Sequence, residues 1–321
     1  MNDRHAGAPM PVEPGDVHAA AQRIDGRAHR TPVITCRSID DIVGGRLFFK
    51  CENMQRTGAF KFRGAANAVL SLPDGEAHRG VATHSSGNHA AALAEAARER
   101  GVPAYIVMPE SAPRIKQEAV AGYGGRITFC EPTLAARQRG LEEVVARTGA
   151  SVVHPYNDAR VIAGQGTATL ELLDQAPRLD AIVAPIGGGG LLSGASVVVD
   201  GSGEDIELFG AEPTGADDAK RSLAAGRILP SIAPSTIADG LLTSLGELTF
   251  AILHGHGRTI LCVDDDVTRR AMRLLWERAK LVAEPSGAVA LGVVLAHPEV
   301  FEGRRVGVIV SGGNVEMPGP R

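Results

Sequence analysis

The stretch Ala181–Val199, AIVAPIGGGGLLSGASVVV, decides how the whole chain is read. It carries no charged residue, which imitates a membrane-spanning helix. A proline, two serines and four consecutive glycines inside it argue against a packed span. The alternative is a strand, AIVAP, that turns through Gly187, Gly188, Gly189 and Gly190 into a helix of small residues. Glycines let the backbone approach an anion closely, and the helix aims free N–H groups and the positive end of its dipole at that anion. PIGGGGLLSG (185–194) therefore reads as a phosphate cradle, because four glycines exceed what a tight turn needs. A dinucleotide site is the sharper rival, with Glu212 at the end of the next strand holding a ribose. It fails on spacing, since Leu192 stands where the G-x-G-x-x-G fingerprint needs its third glycine.

The same alternation of strand and helix extends outward in both directions. Candidate strands are RLFFK ending at Lys50, GVATH ending at His84, AYIVM ending at Met108 and RITFC ending at Cys130. Later ones are SVV at Ser151, AIVAP at Ala181, IELFGA at Ile206, TILCV at Thr259 and RVGVIV ending at Val310. Between them lie helical patterns such as HAAALAEAARER from His89 and VTRRAMRLLWERAKLV from Val267. Such alternation implies right-handed βαβ units around mostly parallel sheets. No internal repeat or low-complexity linker interrupts it. One sheet would need more strands than usual, so two α/β layers sharing a cleft are expected, with ligands beyond the carboxyl ends of strands.

The 321 residues are 44% hydrophobic and 4% aromatic, enough for one large or two modest domains. A net charge of -4 without long runs of either sign gives no reason to expect nucleic acid or an anionic membrane as partner. Cys36, Cys51, Cys130 and Cys262 are scattered and read as reduced thiols in a cytoplasmic protein. The start, MNDRHAGAPMPVEP, mixes charge and proline where a signal peptide needs an apolar run.

Only five of the 33 basic residues are lysines: Lys50, Lys61, Lys116, Lys220 and Lys280. Lys61 is set apart by its context, ENMQRTGAFKFRGAANAV (52–69), between Phe60 and Phe62 at the start of an alanine-rich helix. Apolar bulk and a helix N-terminus both disfavour an ammonium charge and lower its pKa, as a Schiff-base lysine requires. In THSSGNHAAA (83–92), Ser85, Ser86, Asn88 and His89 crowd a second helix start, where backbone N–H groups would welcome a carboxylate. One serine suffices for a cap, so the crowding points to a ligand. Ser311, in VIVSGGNVE, follows a late strand and could meet a ring nitrogen.

As a set, TGAFKFRGA, SSGNHAAA, IAGQGT, GGGGLLSG, AEPTGADD, ADGL, EPSGA and SGGN resemble the fold-type II pyridoxal-phosphate enzymes, specifically the serine/threonine dehydratase and serine racemase family. The resemblance runs from about Arg30 to Asn314. It implies a tryptophan synthase β-like architecture, with two open, twisted, mostly parallel sheets and the cofactor in the cleft between them. Residues 1–78 and 158–321 would form the large domain and 79–157 the small one. By this resemblance Lys61 carries pyridoxal 5'-phosphate as an internal aldimine and Phe60 packs on its ring. Asn88 bonds the phenolic oxygen, while Gly187 to Gly190, Leu191 and Gly240 complete the cofactor contacts. Ser311 faces the pyridine nitrogen. Ser85, Ser86, Asn88, His89 and Arg137 would surround the amino-acid substrate. Glu212, the Ala216 carbonyl and Asp218 would ligate Mg²⁺ or Ca²⁺ through oxygen.

A hydroxyl at the pyridine nitrogen cannot protonate it as a carboxylate would, so the ring is a weaker electron sink. That suits rapid loss of a β-hydroxyl once Lys61 has taken the α-proton. The activity implied is a dehydratase acting on L-serine, L-threonine or 3-hydroxyaspartate. Serine racemase with dehydratase side activity is the alternative. Ser86 matches the racemases' opposite-face acid/base and Arg137 their substrate-side arginine, but Tyr156 and Asn157 in HPYNDA (154–159) follow the dehydratase form. A homodimer is expected. The chain ends soon after SGGN, without the regulatory domain of biosynthetic threonine dehydratases, so feedback by isoleucine is not.

Overall fold

A computed structural model of the protein describes residues 10–316; the opening MNDRHAGAP and the last five residues lie outside the description. Ten strands form two sheets. The larger sheet has the order β1-β2-β10-β7-β8-β9, where β1 is Val33–Ile34, β2 Arg46–Cys51, β7 Ala181–Pro185, β8 Glu207–Pro213, β9 Thr259–Val263 and β10 Arg305–Val310. Only β1 runs antiparallel. The smaller sheet, β5-β4-β3-β6, is parallel throughout and is drawn from β3 Val81–His84, β4 Ala104–Pro109, β5 Arg126–Cys130 and β6 Ser151–Val152. Every strand read from the sequence is present. The two-residue β1 is the addition, and it is too short to show a period.

Helices cover the large sheet on both faces. Pro285–Ala296 is buried from Ser286 to Val294 and carries no charge in that span, as a helix enclosed on all sides must. It packs with Phe49, Val183, Val308 and Phe301 in one core. On the other face lies Gly190–Ser202, buried from Gly190 to Val199, so the stretch that imitates a membrane span is the interior of this protein. No helix among the described residues is long and apolar enough to cross a membrane. The segment Val267–Val282 departs from a plain helix. Asp265–Leu274 is α-helical, Leu275–Ala279 widens into a π-turn, and Lys280 ends it at φ 61. The chain is thereby turned toward Glu284 and the next helix.

The helices Lys61–Leu70, Ala159–Gln175 and Gly190–Ser202 pack backbone to backbone. A Cβ on Gly164 would sit 2.6 Å from the Cα of Gly64, and one on Gly194 would sit 2.5 Å from the nitrogen of Gly166. Beside this contact a charge cluster is buried. The Arg63 guanidinium, fully buried, bonds Glu52 at 2.7 and 2.8 Å, Glu171 at 2.7 and 2.8 Å, and the Thr167 hydroxyl at 3.2 Å. Lys50, equally buried, reaches Glu171, Gln175 and the Thr31 carbonyl. Burial works against the Glu52 charge, but Arg63 outweighs it and holds the carboxyl below its ordinary range. Removing one member of such a cluster strands the other as an uncompensated buried charge, at about 3–5 kcal/mol. Glu52→Ala should lose stability of that order in urea unfolding. A loss below about 1 kcal/mol would show that Arg63 does not depend on Glu52.

Candidate active site

The carboxyl ends of four strands feed one region. β2 leads to Lys61, β3 to Ser85–Asn88, β7 to the four glycines and β10 to Ser311. Two of these loops are stitched together directly. The Phe60 N–H donates to the Ser311 carbonyl at 3.0 Å, and Ala59 pairs with Gly312 in an isolated β-bridge. Lys61 opens its helix, its Nζ donating to the Pro155 carbonyl at 2.9 Å and lying 5.0 Å from the Phe60 ring centroid. No carboxylate pairs with it, and burial pushes its ammonium down to about 8.

The glycine loop allows no side chain. A Cβ at Gly187 would lie 2.9 Å from Leu241 Cα, one at Gly188 2.3 Å from the Tyr156 ring and one at Gly189 2.8 Å from Thr249 Cβ. Gly189 caps the helix at φ 90. Ser193 is the first residue to close a helical turn, onto the Gly189 carbonyl at 2.8 Å. The N–H groups of Gly190, Leu191 and Leu192 ahead of it are the helix's own unclaimed donors. Thr249 Oγ1 donates to the Gly188 carbonyl at 2.8 Å and holds the loop from behind. Asn157 Oδ1 accepts from the Leu248 N–H at 2.8 Å. Tyr156 and Asn157, read from the sequence only as a departure from the racemase pattern, thus brace the cradle.

At the end of β3, Ser85 and Ser86 are half-buried in the turn before the Asn88–Arg100 helix. The Asn88 amide donates to Glu284 at 2.7 Å and accepts from Asn314 at 2.9 Å. The His89 ring is buried with Nε2 on the Val153 carbonyl at 3.1 Å, so only its backbone is offered at the helix start. Burial first, then the Lys61 charge, pushes it down to about 3. His154 accepts the Tyr156 and Asn157 N–H groups on Nδ1, at 3.3 and 2.9 Å, which leaves Nε2 as the protonated nitrogen. Its ring stands edge-on to His84 and Tyr156, and burial pushes it down to about 4. Burial and then the nearby Arg137 charge also lower His84. Arg137 is partly buried, and its Nε is a buried donor without a hydrogen-bond partner. The sequence reading missed His84, His154 and Glu284 as members of this site, although all three fall in or beside quoted motifs.

The Ser311 hydroxyl is buried, and its acceptor, the Ser286 carbonyl, lies at the outer limit of 3.5 Å. Ser286 Oγ accepts the Gly240 N–H at 2.9 Å, which fixes the turn that touches Gly187. Farther along β8, Glu212 is buried and accepts the Ala219 and Lys220 N–H groups at 2.7 and 2.9 Å. Burial pushes it up to about 8 and Asp218 to about 6; Asp218 Oδ2 has no partner. No cluster of three His, Cys, Asp or Glu side chains able to hold a metal occurs among the described residues. An ion here would need the Ala216 carbonyl and water as well.

A buried lysine whose pKa burial lowers to about 8, linked through Pro155–Tyr156 to a glycine cradle at a helix N-terminus, is the arrangement of a phosphate-bearing carbonyl-cofactor enzyme. Residues 24–312 match the model of the pyridoxal-phosphate dependent enzyme family, and the chain belongs to it. It is 50% identical to the β-hydroxyaspartate dehydratase of Paracoccus denitrificans, over 94% of this chain and 96% of that protein. It is 44% identical to the L-threo-3-hydroxyaspartate ammonia-lyase of Saccharomyces cerevisiae, over 94% and 93%. The crystal structure of serine racemase from Dictyostelium discoideum superposes with a TM-score of 0.92 at 45% identity, covering 96% of this chain and all of that one. The two-sheet, fold-type II architecture expected from the sequence is therefore the one present. The residues suit the cofactor: a cradle that any Cβ would block, three free N–H groups for its phosphate, and a lysine unpaired by acid.

Proposed function

We propose that the protein is an ammonia-lyase that dehydrates small β-hydroxy amino acids to a 2-keto acid and ammonia, using pyridoxal phosphate on Lys61. The observation that carries this is the dipeptide Pro155–Tyr156. Its carbonyl holds Lys61 Nζ at 2.9 Å while its next ring packs on Gly188. The lysine and the phosphate cradle thus share one support, as a cofactor joined to both requires. The large domain expected from residues 1–78 and 158–321 and the small one from 79–157 would then face each other, in their described parts, across this site.

When bound, the cofactor supplies an electron sink at Cα of the substrate. The helix start at Ser85, Ser86 and Asn88 holds the α-carboxylate through N–H groups and hydroxyls. Lys61, with its depressed pKa, is basic enough to take the α-proton and acidic enough to return it. Ser311 would offer the ring nitrogen a hydroxyl and not a carboxylic acid, a weaker proton source suited to elimination. The β-hydroxyl leaves as water with the proton that Lys61 took from Cα, and the enamine product tautomerises to an imine that takes up water to give keto acid and ammonia. Arg137, whose charge reaches His84 and whose Nε has no partner, suits a second carboxylate on the β-carbon. 3-Hydroxyaspartate is accordingly the preferred substrate, ahead of L-serine and L-threonine. The serine racemase reading rests on Ser86 as an acid/base on the opposite face of Cα.

We further assign Glu212, the Ala216 carbonyl and Asp218 to a Mg²⁺ or Ca²⁺ ion, which would relieve the two acids that burial raises. The four free cysteines fit the cytoplasm. A homodimer would cover Met54, Trp276 and Val282, which remain exposed.

Two experiments follow. In a panel of β-hydroxy amino acids assayed for keto acid, ammonia and inverted enantiomer, 3-hydroxyaspartate should give keto acid and ammonia in equal amounts. Arg137→Ala should cut its kcat/KM by roughly a hundredfold while L-serine changes only severalfold. Abundant D-serine from L-serine, abolished in Ser86→Ala, would promote the racemase instead. For the ion, a chelator should lower the thermal midpoint and Mg²⁺ or Ca²⁺ should restore it in proportion to concentration. Indifference of both stability and activity to chelator would leave the acids without a cation.

A further inference from the structure

The side chain of Asn88 is held on two sides by groups far from it in sequence, and the order of those contacts dictates which way its amide faces. Thr57 adopts a left-handed backbone, φ 58 and ψ 13, a conformation strained for a residue with a side chain. Its carbonyl accepts from Asn314 Nδ2 at 2.7 Å. That contact fixes Asn314, since the opposite amide orientation would set two oxygens face to face. Asn314 Nδ2 also donates to Asn88 Oδ1 at 2.9 Å. On the other side Asn88 Nδ2 donates to Glu284 Oε1 at 2.7 Å. Glu284 is itself anchored, with its N–H on the Gly312 carbonyl at 3.0 Å and its side chain 6% exposed. A Cβ on Gly312 would come within 2.2 Å of Glu284 Oε1, so the carboxylate occupies space that only a glycine there leaves open. An amide has two N–H donors. One is committed to Glu284 and one remains.

We infer that Thr57, Asn314 and Glu284 form a positioning relay that presents Asn88 to the cofactor's ring oxygen as a hydrogen-bond donor and never as an acceptor. The inference rests on the assignment of Asn88 to that oxygen. A donor there stabilises the form of the bound cofactor whose ring oxygen is anionic and which absorbs visible light. An acceptor would favour the form whose ring oxygen keeps its proton and which absorbs in the near ultraviolet. The relay works through geometry and not through the charge of Glu284, because a protonated or amidated side chain still offers a carbonyl oxygen to Asn88. It gives a use to the strained Thr57, which lies four residues before Lys61 and tethers the Lys61 loop to the helix start at Asn88.

The test compares the absorption spectrum of the holoenzyme and its cofactor dissociation constant across four variants, with Asn88→Ala as reference. Asn88→Ala and Glu284→Ala should each reduce the visible-absorbing fraction and weaken cofactor binding by about tenfold, the scale of one lost buried hydrogen bond. Asn314→Asp, which keeps the shape and removes the donor on an exposed side chain, should shift the spectrum the same way. Glu284→Gln should restore the wild-type spectrum that Glu284→Ala loses. If Asn88→Ala shifts the spectrum while Asn314→Asp and Glu284→Ala match the wild type, the relay is wrong and the cofactor assignment stands. An unchanged spectrum in Asn88→Ala would remove the assignment and the relay together. Failure of Glu284→Gln to rescue would overturn the acceptor role of Glu284.

Discussion

The buried guanidinium of Arg63 is the constraint on which the active centre depends. A charge with no access to water must be satisfied on every side, and here the partners come from distant parts of the chain. Glu52 follows β2, Thr31 and His29 come from the segment before β1, and Thr167 and Glu171 lie on the helix Ala159–Gln175. Arg63 sits two residues beyond Lys61. Satisfying it fixes the rotation of the Lys61–Leu70 helix about its axis and so the direction in which Lys61 leaves it. The glycine contacts between helices act together with it, since Gly64 meets Gly164 where a side chain would hold them apart.

From that anchored helix the site is assembled by short hydrogen-bonded links. The Lys61 loop is joined to the Ser311 loop by the Phe60–Ser311 bond, to the cradle through Pro155 and Tyr156, and to the start of the Asn88 helix through Asn314. His89 and His154 both feel the Lys61 charge and His84 stands edge-on to His154, and burial keeps all three imidazoles below their ordinary pKa. Neutral neighbours of this kind add little positive charge beside Lys61, so its own depression comes from burial. The site is thus tuned by exclusion of water more than by paired charges, which suits the proton-transfer role proposed for Lys61.

Much of this was legible in the sequence because its signals are local. Strand runs, the glycine loop after Pro185 and the aromatic flanks of Lys61 each lie within a few residues of the feature they report. What escaped depends on contacts across the fold. Glu284 meets Asn88 across 196 residues and Asn314 meets it across 226. No spacing rule reaches that far. His89 looked like a substrate ligand because it stands in a polar helix start, yet its ring turns into the interior toward Val153. The π-turn at Leu275–Ala279 escaped for a different reason, as its apolar pattern is the same as that of an α-helix. Position in a motif showed which segments matter, and only packing showed which atoms face the cleft.

The account stands on Lys61 as the residue that carries the cofactor, and it has one credible rival. Lys50 is also buried and burial also lowers its pKa, but it is engaged by Glu171, Gln175 and the Thr31 carbonyl, whereas among the described residues Lys61 Nζ hydrogen-bonds only a backbone carbonyl. Borohydride reduction of the holoenzyme, followed by proteolysis and peptide mapping, separates the two. The account predicts the phosphopyridoxyl group on Lys61, with Lys61→Ala unlabelled and inactive. Label on Lys50, Lys116, Lys220 or Lys280 would contradict it.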